Sequence, residues 1–190
     1  MTIMKSLRPL PKNVFLIPLM LALISTSGSV LAVNSSNVQI TVKGTVGGSS
    51  CTVVGGPSQT VDLGVASPAI LNSSNSAWVW KTFPISLEHC PTGMGKATIT
   101  FNGEPDADNP LYYKNTAVAS EGNPVADHVA IELTPYPQGD DLSTGSQMVT
   151  TVNGTTHQAQ FNVQARMISP TGRASAGKVA GHIDYTVEYQ

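Results

Sequence analysis

The sequence is short of charge. Of its 190 residues only 12% are Asp, Glu, Lys or Arg, and the 12 acidic residues outnumber the 10 basic ones. The chain offers no basic stripe for the phosphates of a nucleic acid and no amphipathic basic helix for a membrane surface. We therefore expect no nucleic-acid partner and no direct membrane insertion.

Residue patterns typical of catalysis or metal binding are also missing. There is no Gly-x-Ser-x-Gly elbow, and no Ser–Lys motif that would provide a nucleophile. The acidic group Glu104, Asp106 and Asp108 lacks the glycine and terminal glutamate of a familiar calcium loop, which favours a solvated loop. Four histidines are dispersed, and although three of them could meet in space around a metal, exposed or strand-end positions are commoner. They are His89, His128, His157 and His182. We expect no enzyme, cofactor or metal.

The N-terminus has the composition of a secretory signal. Three basic residues precede a short apolar run over 14–24, and Val30 and Ala32 occupy the small-residue positions expected before a cleavage site. The run is too short to anchor the chain in a membrane. We expect residues 1–32 to be removed on export, which leaves 190 − 32 = 158 residues, enough for one domain.

Only two cysteines are present, Cys51 and Cys90, and both lie in the exported part. An even count in an oxidising compartment predicts one structural disulfide. The spacing is far too wide for a redox pair, and two thiols are too few for a zinc site.

Period-two alternation dominates the mature chain, and no window gives a convincing amphipathic helix. Turn-rich pieces with Gly, Pro, Asn, Asp and Ser separate the alternating segments, which predicts an all-β sandwich in one domain. Beyond the opening segment, strands are predicted over 51–55, 60–64, 82–89, 96–102, 128–134, 147–152, 158–168 and 181–189.

The two ends of the mature chain each carry an apolar strand that needs a neighbour. In "VQITVKGTV" (38–46) four apolar side chains and one glycine share a face, and a Gly-Gly-Ser-Ser joint follows. They are Val38, Ile40, Val42, Gly44 and Val46. The last strand runs to Gln190 with a similar apolar face, a hazard at a bare sheet edge. The two strands could pair within one molecule or between molecules, and the first could also fold back as an ordinary edge strand.

Several further motifs occur in order along the chain. They are "CTV" at the first cysteine, "VDLG" at 61–64, "SAW" at 76–78, "LEHCP" at the second cysteine, "ATITFNG", "YYKN" at 112–115 and "VAIEL", then Gly177 and the penultimate Tyr189. Together with the alternating arm, they make the chain resemble the pilins of the bacterial chaperone–usher pathway, closest to the minor (tip adaptor) subunits of type 1 fimbriae.

The resemblance implies an incomplete immunoglobulin-like sandwich, which lacks its last strand and leaves a groove beside the C-terminal strand. A periplasmic chaperone lends a strand to the groove, and at the outer-membrane usher the arm of the next subunit displaces it. Here residues 33–48 would be that donor arm and 49–190 the pilin domain. The groove and chaperone-binding strand would comprise Gly177, Ile183, Tyr185, Val187, Tyr189 and Gln190.

Three residues carry specific expectations from the resemblance. Gly44 would face a shallow pocket in which a side chain would clash, although it could instead twist or bulge the arm. Basic chaperone residues would grip the terminal carboxylate of Gln190. Tyr189 would either contact the chaperone or serve core packing alone.

The expected function is that of a structural fimbrial subunit at the surface of a Gram-negative bacterium, reached through the periplasm. Its partners would be the chaperone, the usher and neighbouring pilins. The alternatives are a receptor- or carbohydrate-binding tip protein and a periplasmic β-sandwich enzyme. Family adhesins usually carry an additional lectin domain, for which 158 residues leave no room.

Overall fold

The computed structural model describes residues 39–45 and 50–190, so the predicted signal peptide, Val38 and Val46 lie outside the described residues. Every regular element in these ranges is a β-strand. Among the described residues there is no helix that could span a membrane. The strands are β1 Gln39–Thr45, β2 Thr52–Val53, β3 Ser58–Asp62, β4 Ser76–Ala77, β5 Lys81–Glu88, β6 Lys96–Gly103, β7 Tyr113–Lys114, β8 Ala130–Pro135, β9 Gln147–Thr151, β10 Ala159–Ser169 and β11 Ala180–Tyr189.

The strands form two sheets. One sheet has the order β3-β1-β11-β6-β9; the other has the order β2-β5-β10-β8-β7, with β4 pairing the end of β10. All strand pairings are antiparallel except that of β1 with β11, which is parallel. The chain is thus an all-β, immunoglobulin-like sandwich, as its sequence predicts.

Alternating side chains build the core between the sheets. In β5, Phe83, Ile85 and Leu87 are buried, and the residues between them are exposed or half-buried. The same alternation in β6 buries Ile99 and Phe101. Because successive side chains of a strand point to opposite faces, the alternation identifies which face of each strand lies against the core.

The predicted strands are confirmed to within a few residues, with two additions. β4 and β7 contain two residues each and lie inside the quoted motifs "SAW" and "YYKN". Two residues cannot show an alternation, which explains why periodicity does not reveal them.

The predicted disulfide is confirmed. Cys51 and Cys90 are bonded and buried; Cys51 directly precedes β2, and Cys90 follows β5, the strand that pairs with β2. The crosslink closes a loop across 39 positions of sequence. A loop of this length stabilises the folded state by roughly 4 kcal/mol in the chain-entropy account.

The side chain of Asn115 joins three chain segments by hydrogen bonds near the start of β11. Its side-chain Nδ2 donates to the carbonyls of Ala126 and Lys178, both at 3.0 Å. Its Oδ1 accepts from the backbone amides of Ala117 at 3.1 Å and Ala180 at 3.0 Å. One amide group thus makes four hydrogen bonds to the backbone, one of them to the amide of Ala180, which positions the first residue of the last strand.

Asn115→Ala should therefore lower the free energy of unfolding by about 2–4 kcal/mol, because partly buried backbone groups lose their partners. The measurement is urea unfolding of the mature chain. Asn123→Ala is the matched control, since the Nδ2 of Asn123 makes a local bond to the carbonyl of Glu121 at 3.3 Å and joins no distant segments. Equal effects of the two substitutions would contradict this role of Asn115.

Candidate functional site: the groove beside the last strand

The last strand, β11, lines a groove with its inward side chains. Ile183, Tyr185 and Val187 are buried, and the residues between them are exposed. On its other side β11 pairs antiparallel with β6 over Ile183 to Tyr189. The edge of β11 that is turned away from β6 and the edge of β3 that faces it form the two walls of a groove. One further strand fits between them.

In this structure the chain's own β1 occupies the groove. Its residues pair with β11 from Gln39↔Ala180 to Thr45↔Thr186 and with β3 from Gln39↔Asp62 to Lys43↔Ser58. Ile40 is 0% exposed and Val42 is 2% exposed. Burying each of these side chains is worth about 1.5–3 kcal/mol. The sheet is thus closed within one molecule, which is the intramolecular pairing that the sequence left open.

The direction of β1 distinguishes it from an ordinary last strand of a sandwich. β1 runs parallel to β11 and antiparallel to β3. Parallel pairing is slightly less stable per residue than antiparallel pairing. β1 therefore fills the groove in the orientation that gives the slightly weaker pairing with β11.

Gly44 lies directly opposite Tyr185 in the pairing of β1 with β11. A Cβ atom at this position would be 2.5 Å from Cε2 of Tyr185 and 2.8 Å from its Cζ. Burial raises the pKa of the Tyr185 phenol, and Tyr189 adds to the effect, so the ring stays uncharged at neutral pH. The space that another side chain would need is already filled by the ring. Within one chain, Gly44 thus meets a clash of the kind expected from the resemblance.

The C-terminus is held by the main chain. The carbonyl oxygen of Gln190 accepts from the amides of Gly95 at 2.8 Å and Lys96 at 2.9 Å, and its amide donates to the carbonyl of Lys96 at 2.9 Å. Tyr189 packs partly buried against the core, and burial raises the pKa of its phenol. Its hydroxyl oxygen is buried without a hydrogen-bond partner among the described residues.

Some of the predicted site residues are not part of the observed pairing. Val38 and Val46 lie outside the described residues. Gly177 precedes β11, which begins at Ala180, and a Cβ on Gly177 would be 2.4 Å from the amide nitrogen of Ala126. Its position permits a close approach of two backbone segments and does not line the groove.

Sequence reasoning missed the second wall of the groove. β3 contributes Val61, which is buried, opposite Ile40. The motif "VDLG" marked this segment as a strand, but no sequence signal identifies which strand lies beside the arm, since this depends on tertiary pairing.

The histidines and acidic residues singled out in the sequence are distributed among separate local contacts. Nδ1 of His128 lies 3.5 Å from Oδ2 of Asp108 and 3.2 Å from Oγ1 of Thr171. Oδ1 of Asp106 accepts from the amides of Asp108 and Asn109 in its own turn, and Glu104 pairs with Lys114. In the part of the chain that the structure describes, no three of these groups come together in a metal-binding arrangement.

The sandwich and its groove define a class of protein, and comparisons with known proteins agree with it. The model of the family described as "Fimbrial protein" matches residues 40–190. The chain is 31% identical over 157 residues to Protein FimG of Escherichia coli K12. The alignment covers 83% of this chain and 87% of FimG.

Two solved structures share the fold. The P pilus rod subunit PapA superposes with a TM-score of 0.57 at 14% identity, covering 74% of this chain and 99% of PapA. A subunit in the structure of a chaperone–usher pilus gives a TM-score of 0.57 at 16% identity, covering 78% of this chain and 92% of the other. The chain belongs to the fimbrial protein family. It is a chaperone–usher pilin close to FimG-like subunits, in a family of structural proteins rather than enzymes.

Gly44→Ala should lower the free energy of unfolding by about 1–3 kcal/mol, because the added methyl overlaps the Tyr185 ring and either tilts the ring or loosens β1. Gly154→Ala is the control, since a Cβ at Gly154 meets nothing within 4 Å. Urea unfolding of both variants makes the comparison.

The contact with Tyr185 is then isolated by a double-mutant cycle with Tyr185→Ala. Once the ring is absent, Gly44→Ala should cost less than it does in the parent chain. Strict additivity of the two substitutions would show that Gly44 does not act through Tyr185.

Proposed function

We propose that this chain joins its neighbours in a fimbria by donor-strand exchange. The observation that supports the proposal is the fit of β1 in the groove, where Ile40 and Val42 are almost completely buried between β3 and β11. A strand with this side-chain spacing is suited to a groove of the same kind in another subunit. Main-chain hydrogen bonds supply affinity in such strand addition, and alternate side chains supply specificity.

The two placements of β1 exclude each other. A strand that fills its own groove is not available to a neighbour, and the occupied groove cannot accept a neighbour's arm. Assembly therefore requires β1 to leave and a foreign strand to enter. An incoming strand antiparallel to β11 would run parallel to β3, so exchange would move the slightly more stable antiparallel pairing from β3 to β11.

The proposed partners follow from this requirement. A periplasmic chaperone protects the groove after signal peptide 1–32 is removed, and an outer-membrane usher exchanges the chaperone strand for the next subunit's arm. In the exported subunit, residues 33–48 act as the arm and 49–190 as the receiving domain. A basic chaperone residue would contact Gln190, whose backbone oxygen accepts from the amides of Gly95 and Lys96.

We assign the subunit a minor, tip-adaptor position at the cell surface. The support is the resemblance of its motifs to minor subunits, including "SAW" and "YYKN", where the short strands β4 and β7 lie. Fold alone does not determine such a position, so the assignment is tested by the subunits that co-purify with it.

The decisive experiment compares Ile40→Asp with Thr41→Asp in cells that assemble the fimbria. Ile40 points into the groove, whereas Thr41 is half-exposed on the opposite face of β1. Ile40→Asp should reduce at least tenfold the amount of this subunit that is joined to a neighbouring subunit in the fimbria. The reason is that an unpaired carboxylate is too costly to bury in the neighbour's groove. Thr41→Asp should incorporate almost normally.

Chaperone binding provides the internal control. Both variants should still co-purify with the periplasmic chaperone in a one-to-one complex, because the receiving groove is unchanged. Normal incorporation of Ile40→Asp, or of a chain from which residues 33–46 are deleted, would overturn the donor role. In that case the closed monomer would be the end state of the chain.

A further inference from the structure

β9 is the outermost strand of the first sheet, at the edge opposite β3. It comprises Gln147–Thr151, and β6 is its one strand partner among the described residues. An edge strand presents main-chain polar groups to which a further strand can bond, and natural sheets usually protect such edges by shortness, charge or proline. The two sheets have four edge strands, whose protection can be compared.

The other three edge strands each show such protection. β2 and β7 contain two residues each, and β7 carries Lys114. β3 ends in the charged residue Asp62. β9 is five residues long, and no charged residue and no proline occurs over 143–156. Val149, in the middle of β9, is 61% exposed. Of the described edge strands, β9 is thus the one that can best accept another strand.

The pairing with β6 shows which main-chain groups of β9 point outward. The amide of Val152 donates to the carbonyl of Gly95 at 3.1 Å, and the amide of Phe101 donates to the carbonyl of Ser146 at 2.9 Å. Hydrogen-bonded pairs alternate with non-bonded pairs along an antiparallel ladder. Every second residue of β9 therefore turns both its amide and its carbonyl away from β6, and within 39–45 and 50–190 no main-chain group bonds to them. These residues are Gln147, Val149 and Thr151.

We propose that the outer edge of β9 pairs antiparallel with the same edge of a second copy of this chain, about a two-fold axis at Val149. In this register Val149 lies opposite its own counterpart, and Gln147 lies opposite Thr151 of the second copy. Each outward amide of one copy then meets an outward carbonyl of the other, so neither edge keeps an unpaired main-chain group. The two five-stranded sheets become one continuous sheet.

The side chains of β9 favour a second copy as the occupant of this edge. The outward residues are placed symmetrically about Val149, as the pairing of two identical strands requires. A β-branched pair stands at the axis, and a neutral Gln–Thr pair that can hydrogen-bond stands on each side. Because the segment 143–156 carries no charge, the symmetry brings no like charges together within it.

The contact is lateral and leaves the groove unchanged. In the first sheet, β11 and β6 separate β9 from β1, so the outer edge of β9 is the same whichever strand fills the groove. One strand pair of this length buries less surface than a standard stable interface. We therefore expect fast, reversible association with a Kd of roughly 0.1–1 mM.

The experiment follows the mature chain by sedimentation velocity at concentrations up to about 1 mM. The parent chain should shift reversibly from monomer toward dimer as its concentration rises. Val149→Lys should weaken the association about tenfold or more, because two ammonium groups would stand opposite each other at the axis. Val118→Lys is the matched control, since Val118 is 81% exposed in the connection between β7 and β8 and should associate as the parent does.

Charge reversal tests the two-fold register. Val149→Glu alone should associate as weakly as Val149→Lys, whereas an equimolar mixture of the two variants should associate at least as strongly as the parent. Hydrogen exchange locates the contact. As the concentration of the parent rises, the amides of Gln147, Val149 and Thr151 should gain protection several-fold, and those of Met148 and Thr150, which already bond to β6, should not change.

A parent chain that stays monomeric at about 1 mM would overturn the proposal. Association of Val149→Lys equal to that of the parent would do so too. If the mixed variants do not associate, the edge does not pair with its own copy in this register, and the proposal fails. Val149→Lys should still join neighbours by donor-strand exchange, so the two proposals are tested separately.

Discussion

The structure depends on one backbone edge. β11 pairs with β6 on one side, and its other side must be covered because Ile183, Tyr185 and Val187 face the core there. An unpaired edge with such side chains would expose both main-chain polar groups and apolar surface to water. Whichever strand covers this edge therefore completes the sandwich. In this structure that strand is β1 of the same chain, in parallel orientation.

This constraint links stability to assembly. Under the proposed exchange, the strand that completes the sheet of the closed subunit would have to leave its place between β3 and β11 before a replacement strand could enter. Gly44 sets the register of that segment, since only the residue opposite Tyr185 must lack a side chain. A shift by two residues would bring Val42 against the Tyr185 ring. In the donor-strand exchange proposed above, the closed and assembled forms would compete for the same pocket.

The second sheet shows a different use of buried polarity. Its outer face is not left to solvent near β8 and β10, where Glu132, Thr134 and Gln164 are buried under a connection. Gln164 donates to Oγ1 of Thr134 and to the carbonyl of Pro137, and Glu132 pairs with Arg166. The hydrogen bond of Gln164 attaches the loop after β8 to β10, and the ion pair joins β8 to β10 within the sheet.

The amino-acid sequence by itself determined the all-β class, most strand positions, the disulfide and the apolar faces of both terminal strands. The alternation of apolar and polar residues is a local property of each strand, and two cysteines allow only one intramolecular pairing. It also identified Gly44 as the exceptional residue of its strand. Tertiary structure alone decided that β1 lies between β3 and β11, that it runs parallel to β11, and that Tyr185 is the ring opposite Gly44. It alone placed Glu132 opposite Arg166 and the Trp80 ring beside that guanidinium. These are choices of partner and direction between distant segments, and a strand's periodicity is the same whichever neighbour it joins and in whichever direction it runs.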